Sequence, residues 1–273
     1  DLSALSQFRA GYTFFYDMGD PLRAAKAFEK LKADYTFSES LSTYTKFEMG
    51  PFVAHSIRDY GFTLLSKGLF KDAKTAFGEA VERNRKDPWS HSGLATALAL
   101  LGEQNQALET AQQALGLGAD EYTVAVRGFV HDQAGRYQEA AKDYQKALMI
   151  LSNNPAVLYN LARLYEIFGD CGEAASVYRE ALKILDKWPE AHNNLGHAYF
   201  CLGKYSEAAA EFKTAAELRP DYVLAHYNLA VTYEKEGRKD HAEQEYRRVI
   251  ALDPSFKQAE VAIQSLRKKT RAA

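Results

Sequence analysis

The stretch Asn194–Pro220, NLGHAYFCLGKYSEAAAEFKTAAELRP, decides how the rest of the chain is read. Leu195, Gly196 and Tyr199 precede Gly203, and Tyr205, Ala208, Phe212, Ala215 and Pro220 follow it. The apolar and small residues on each side recur at helical spacing, and the glycine between them suits a tight turn from one helix to the next. A glycine followed five residues later by alanine recurs at Gly19/Ala24, Gly68/Ala73, Gly102/Ala107, Gly135/Ala140, Gly169/Ala174, Gly203/Ala208 and Gly237/Ala242. Successive glycines are 49, 34, 33, 34, 34 and 34 residues apart. A fixed period of this length marks an array of repeated helix pairs.

This order and spacing resembles the tetratricopeptide repeat (TPR), a 34-residue unit of two antiparallel helices. With the glycine set as position 15, repeats start at Leu5, Ala54, Pro88, Glu121, Pro155, Pro189 and Val223. The resemblance implies an all-α, right-handed superhelical solenoid of about seven helix pairs over residues 1–256, with repeats near 5–38, 54–87, 88–120, 121–154, 155–188, 189–222 and 223–256. An insert, residues 39–53, separates the first two. It carries Tyr44, Phe47 and Phe52 and is expected to break at Gly50-Pro51. It is read either as a longer helix with a surface loop or as a binding or dimerisation element. Residues 257–273 read as a single amphipathic capping helix, with Ala259, Val261, Ala262, Ile263 and Leu266 on its apolar side.

Each repeat position has a physical job. Position 8, where the two helices approach closely, reads Gly61, Ala95, Gly128, Ala162, Gly196 and Ala230. Position 20 is alanine in all seven repeats. Position 24 is mostly aromatic: Phe28, Phe77, Tyr144, Tyr178, Phe212 and Tyr246, with Ala111 as the exception. So short a unit cannot bury its own apolar face, and stacked neighbours must do it.

Composition narrows the function. At 47% hydrophobic and 26% charged residues the chain has ample material for a core. Its formal net charge of -2 gives no reason to expect nucleic acid. No stretch approaches the ~20 apolar residues of a spanning helix, so no membrane insertion is expected. Two cysteines make no disulfide framework, and Cys171 and Cys201 are expected to be free packing residues. The chain begins at Asp1 without Met, which leaves a removed targeting segment open and a cytoplasmic location only slightly favoured.

No catalytic motif appears, and no cofactor or metal is expected. His91, His192 and His226 all fall at position 4, one repeat apart, where they cannot converge on one ion and read as packing residues. What remains is the helix-A face. In TPR proteins positions 2, 5, 6, 9, 12 and 13 line the concave groove. The resemblance therefore implies a peptide-binding set of Tyr122, Phe129, Tyr159, Asn160, Arg163, Asn193, Asn194, His197, Phe200, Tyr227 and Asn228. Position 6 is asparagine in three successive repeats: Asn160, Asn194 and Asn228. The row is similar to the asparagine ladders of O-GlcNAc transferases and kinesin light chains, where amides bond the main chain of an extended peptide. An amide suits this, since it both donates and accepts. The alternative is that these asparagines bond within the array. The lysine and asparagine pattern of a chaperone-type carboxylate clamp is missing. The expected activity is a non-catalytic scaffold that binds a protein or extended peptide segment. The alternatives are the repeat portion of a larger enzyme such as a glycosyltransferase, and a self-assembling, homo-oligomeric module.

Overall fold

The computed structural model describes residues 43–271, and every regular element among them is an α-helix. The chain forms two lobes, residues 1–150 and 151–273. The described part of the first holds α1 (Thr43–Ser66), α2 (Phe70–Arg83), α3 (Pro88–Leu100), α4 (Gln104–Leu117), α5 (Glu121–Gln133) and α6 (Tyr137–Ile150). The second holds α7 (Pro155–Ile167), α8 (Cys171–Ile184), α9 (Pro189–Cys201), α10 (Tyr205–Leu218), α11 (Val223–Lys235), α12 (Lys239–Leu252) and α13 (Lys257–Arg271). That is six helix pairs and one final helix among the described residues. The first repeat, Leu5–Ser38, lies outside them.

The sequence explains where helices start and stop. Pro88, Pro155 and Pro189 occupy the first turn of α3, α7 and α9, where a missing amide donor does no harm. Asp87, Asn154 and Asp170 cap α3, α7 and α8 with their side chains, and Asp120 forms a reciprocal capping box with Thr123 on α5. At the α9–α10 turn Gly203 has φ +73°. Its N–H donates to the Phe200 carbonyl, and the next N–H, from Lys204, reaches back to Tyr199. This double closure needs a left-handed residue, which only glycine adopts without strain. Five further glycines at the same repeat position have φ between 71° and 81°.

The seams follow the repeat positions. Ala73, Ala107, Ala140, Ala174, Ala208 and Ala242 at position 20 are wholly buried. The rings at position 24, Phe77, Tyr144, Tyr178, Phe212 and Tyr246, are also buried. A β-carbon on Gly196 would lie 2.8 Å from the Phe212 ring, so position 8 is small because the ring lies against it. Phe77 is pressed between two glycines, Gly61 of its own repeat and Gly93 of the next. Ala259, Ile263 and Leu266 of α13 join one core with Leu229, Ala230, Tyr246 and Val249, whereas Val261 points outward and is 64% exposed.

Two expectations change. The insert does not break at Gly50-Pro51, because α1 runs unbroken from Thr43 through Pro51 into the first helix of the second repeat. An interior proline removes one helical hydrogen bond, and the flanking turns on both sides carry the helix past it. The cysteines are not free: Cys171 and Cys201 form a disulfide that ties α8 to α9. Positions 17 and 13 of neighbouring repeats sound remote, yet the repeat stacking brings their Cα atoms to 6.3 Å, within ordinary disulfide reach.

Candidate functional site

In the C-terminal lobe the first helices of three successive repeats, α7, α9 and α11, lie side by side and share one polar chain. The Asn194 amide donates to the Tyr159 hydroxyl at 2.9 Å and to the Tyr178 hydroxyl at 3.3 Å. Its own oxygen accepts from the Asn193 amide at 3.2 Å. The Asn193 oxygen in turn accepts from the Asn228 amide at 3.0 Å. Tyr178 donates to Glu166 at 2.8 Å, and the other Glu166 oxygen holds His197 Nδ1 at 2.8 Å. Tyr159, Asn193, Asn194, His197 and Asn228 are thus brought together as one network.

The members differ in how much they offer a ligand. Both Asn194 donor hydrogens are engaged, so that amide is held inside the array. Asn193 is buried, with 7% exposure, and lies beneath the face. Asn228 keeps a second donor hydrogen and its carbonyl oxygen. Asn160 is half-buried, and its amide makes no side-chain hydrogen bond among the described residues. At Asn194 the row therefore bonds within the array. The His197 side chain is 63% exposed, and Glu166 raises its pKa against a smaller opposing push from burial.

Aromatic rings frame the network. Tyr159 stacks on Trp188 at 4.6 Å and meets Tyr178 edge-on at 5.6 Å. Burial raises its hydroxyl pKa, and the Asn194 hydrogen bond and the Arg163 charge oppose that rise in smaller measure. Tyr227 lies against Phe256 at 4.9 Å and Tyr246 at 5.8 Å. Phe200 meets Tyr205 edge-on at 5.2 Å. An open cleft of about 660 Å³ continues the face past Tyr227 and Glu234 to Lys257, Gln258 and Val261 on α13.

Tyr122 and Phe129 belong to the other lobe. There Tyr122 sits against Trp89 at 5.3 Å and Phe62 at 6.1 Å, and Arg58 lies over the Trp89 ring. Phe129 is half-buried in the same core as Val126 and Val130.

Sequence reading missed Trp188 and Tyr178 as parts of the site, whereas Glu166 stands at groove position 12. A signal for Tyr178 was present. In two repeats the position-24 tyrosine donates its hydroxyl to an acid at position 12: Tyr178 to Glu166, and Tyr246 to Glu234. Where position 24 is Phe212, position 12 is Phe200. The position-4 histidines are structural. His192 binds Glu211 at 2.7 Å and the Asp186 carbonyl at 2.8 Å, and His226 binds Glu245 at 2.7 Å and the Pro220 carbonyl at 3.1 Å. Among the described residues no group of three or more His, Cys, Asp or Glu side chains could hold a metal, and no helix is long and apolar enough to cross a membrane.

Tandem helix pairs, turn glycines at a fixed period and, within the C-terminal lobe, a face built from successive first helices define a helical-repeat solenoid. Tetratricopeptide-repeat family profiles match residues 5–38, 63–122, 133–198 and 223–256, and a TPR-repeat profile matches 196–237. The chain belongs to the tetratricopeptide repeat proteins.

One curated relative is the "Small glutamine-rich tetratricopeptide repeat-containing protein 2" of Mycosarcoma maydis. It is 30% identical over 114 residues, covering 41% of this chain and 30% of the relative. The chain spans 20% to 30% of the length of the curated relatives it matches. Among solved structures, the "APC/C hetero-tetramer Cut9-Hcn1" superposes with a TM-score of 0.69 at 20% identity, over 90% of this chain and 48% of that one. YrrB, described as "a TPR protein with an unusual peptide-binding site", gives a TM-score of 0.60 at 25% identity, over 69% of this chain and 98% of its own.

Proposed function

We propose that this chain is a non-catalytic interaction scaffold that holds an extended peptide segment of a partner along the α7–α9–α11 face. The observation that carries the reading is the graded row of amides. Asn160 is unengaged and Asn228 is half-engaged, one repeat on either side of an Asn194 that is locked in place. Asn160 and Asn228 supply donors and acceptors for a peptide main chain. Tyr159 and Tyr227 supply apolar contact, and Arg163 and His197 supply charge. The likeness to YrrB, whose description names a peptide-binding site, supports the same reading.

The test uses the full chain as bait. A partner recovered from lysate of the source cell is reduced to the peptide that binds, and its affinity is measured by calorimetry. Asn160→Ala combined with Asn228→Ala should remove roughly 1–3 kcal/mol of hydrogen bonding to the peptide, about tenfold or more in affinity, with a fall in melting no larger than loss of the Asn228–Asn193 bond accounts for. Unchanged affinity in that double variant would place the peptide elsewhere.

A further inference from the structure

The disulfide sits where it controls the candidate site. Cys171 opens α8 and is buried, while Cys201 ends α9 and is exposed. Glu166 lies five residues before Cys171, across the short α7–α8 turn. His197 lies four residues before Cys201, on the same face of α9. The S–S bond and the Glu166–His197 pair therefore close one short ring, covalent on one side and ionic on the other. Glu166 is also the residue that holds Tyr178, and Tyr178 accepts from Asn194.

We propose that Cys171–Cys201 is a reducible clamp on the interaction face. In the oxidised chain it holds the last turn of α9 against the start of α8, which keeps His197 on Glu166 and orders the Tyr178–Asn194–Tyr159 chain. Reduction frees that turn and loosens the face. The bond forms by thiol–disulfide exchange with a small-molecule or protein disulfide. The two cysteine thiols give up two protons and two electrons, and the exchanging disulfide leaves as two thiols. Exposed Cys201 is the sulfur such a thiol reaches. Disulfides persist in oxidising compartments, so the clamped form belongs to an oxidising environment rather than a reducing cytosol. What the clamp regulates rests on the peptide-binding reading above. The clamp itself does not.

The experiment needs no ligand. The full chain, purified and equilibrated with glutathione disulfide, should show no iodoacetamide-reactive thiol by mass spectrometry, and two after denaturation and dithiothreitol. Native reduction should lower Tm by roughly 5–15 °C, the scale of a closed loop of this length in a chain of this size. Amide exchange should rise at least tenfold across residues 155–201 while 223–252 stays protected. The raised His197 titration, followed by NMR, should fall toward the ordinary histidine value. Cys171→Ser with Cys201→Ser should show all three effects without reductant and no response to it. If that variant does not fold, reductant titration of the wild-type chain gives the same readouts. Two reactive thiols after the glutathione disulfide step would overturn the proposal. So would a bond whose reduction leaves exchange and the His197 titration unmoved. Failure of the Asn160 and Asn228 variants to affect peptide affinity would strike the binding reading alone.

Discussion

A single asparagine illustrates why equal repeat positions are not equal residues. Asn160, Asn194 and Asn228 share position 6, yet only Asn194 is bonded to two tyrosine hydroxyls and a neighbouring amide at once. Asn194→Ala strips a donor pair from Tyr159 and Tyr178 and leaves the Asn193 amide without its acceptor. The expected loss is about 1–2 kcal/mol, the scale of a hydrogen bond whose partners stay partly buried. Asn160→Ala should stay within about 0.5 kcal/mol, as a substitution away from any engaged contact. Urea denaturation of the two single variants compares them directly, and equal losses would contradict the assignment of roles. Gly196 gives a second test at this scale. A methyl group there would lie 2.8 Å from the Phe212 ring, which is itself buried. Gly196→Ala should therefore destabilise by about 1–3 kcal/mol through overpacking, despite the higher helix propensity of alanine. A variant that gains stability would show that the ring has room to move.

At the scale of the helix, α9 and α11 are each held to their own partner helix and to the chain before them by the position-4 histidines His192 and His226. His192 reaches Glu211 on α10 with one ring nitrogen and the Asp186 carbonyl, ahead of α9, with the other. Burial pushes this imidazole toward the neutral form, but the Glu211 carboxylate and the Asp186 carbonyl together outweigh it, and the pKa is raised above 6.5. A raised folded-state value means that the stabilisation is complete at pH below the unfolded value and is lost as pH climbs through the folded one. His131 runs the other way. Burial lowers its pKa, so its protonation opposes folding as pH falls. Melting temperature followed from pH 6 to pH 9 should decline, and His192→Gln should flatten that decline. An unchanged slope in the variant would assign it to other groups. These elements were largely legible in the sequence. Position 15 needs glycine for a left-handed turn, and positions 8 and 20 need small residues for close approach, so the repeat register could be read from residue size alone. The polar network was less legible, because hydrogen bonds between repeats depend on rotamers and on partners 31 to 35 residues away. The disulfide was hidden for a similar reason. Its two cysteines occupy different repeat positions, and only the stacking of one repeat on the next makes them neighbours.

For the chain as a whole, stability is a sum of neighbour contacts, since each repeat buries its apolar face only against the ones beside it. The cores bear this out. Phe212 of the sixth repeat shares one cluster with Leu229, Tyr233 and Tyr246 of the seventh, and that cluster is completed by Ala259, Ile263 and Leu266 of α13. The final helix thus does for the seventh repeat what a further repeat would do, while its outer side, Glu260 and Arg267 included, faces water. Arg267 adds an exposed pair with Glu243 at 2.7 Å, which salt would screen and which carries little of the effect. Ending the chain after Asp253 removes those three apolar side chains and uncovers Tyr246 and Val249. Full burial of an Ile or Leu side chain is worth about 1.5–3 kcal/mol, so the truncated chain should lose roughly 3–6 kcal/mol of local stability. In a one-dimensional array that loss should stay near the cut. Amide exchange should accelerate most in α11 and α12, less in α9 and α10, and least in α7 and α8. Uniform acceleration over residues 155–252 would instead mean that the lobe unfolds as one cooperative body, and the additive picture of its repeats would have to be given up.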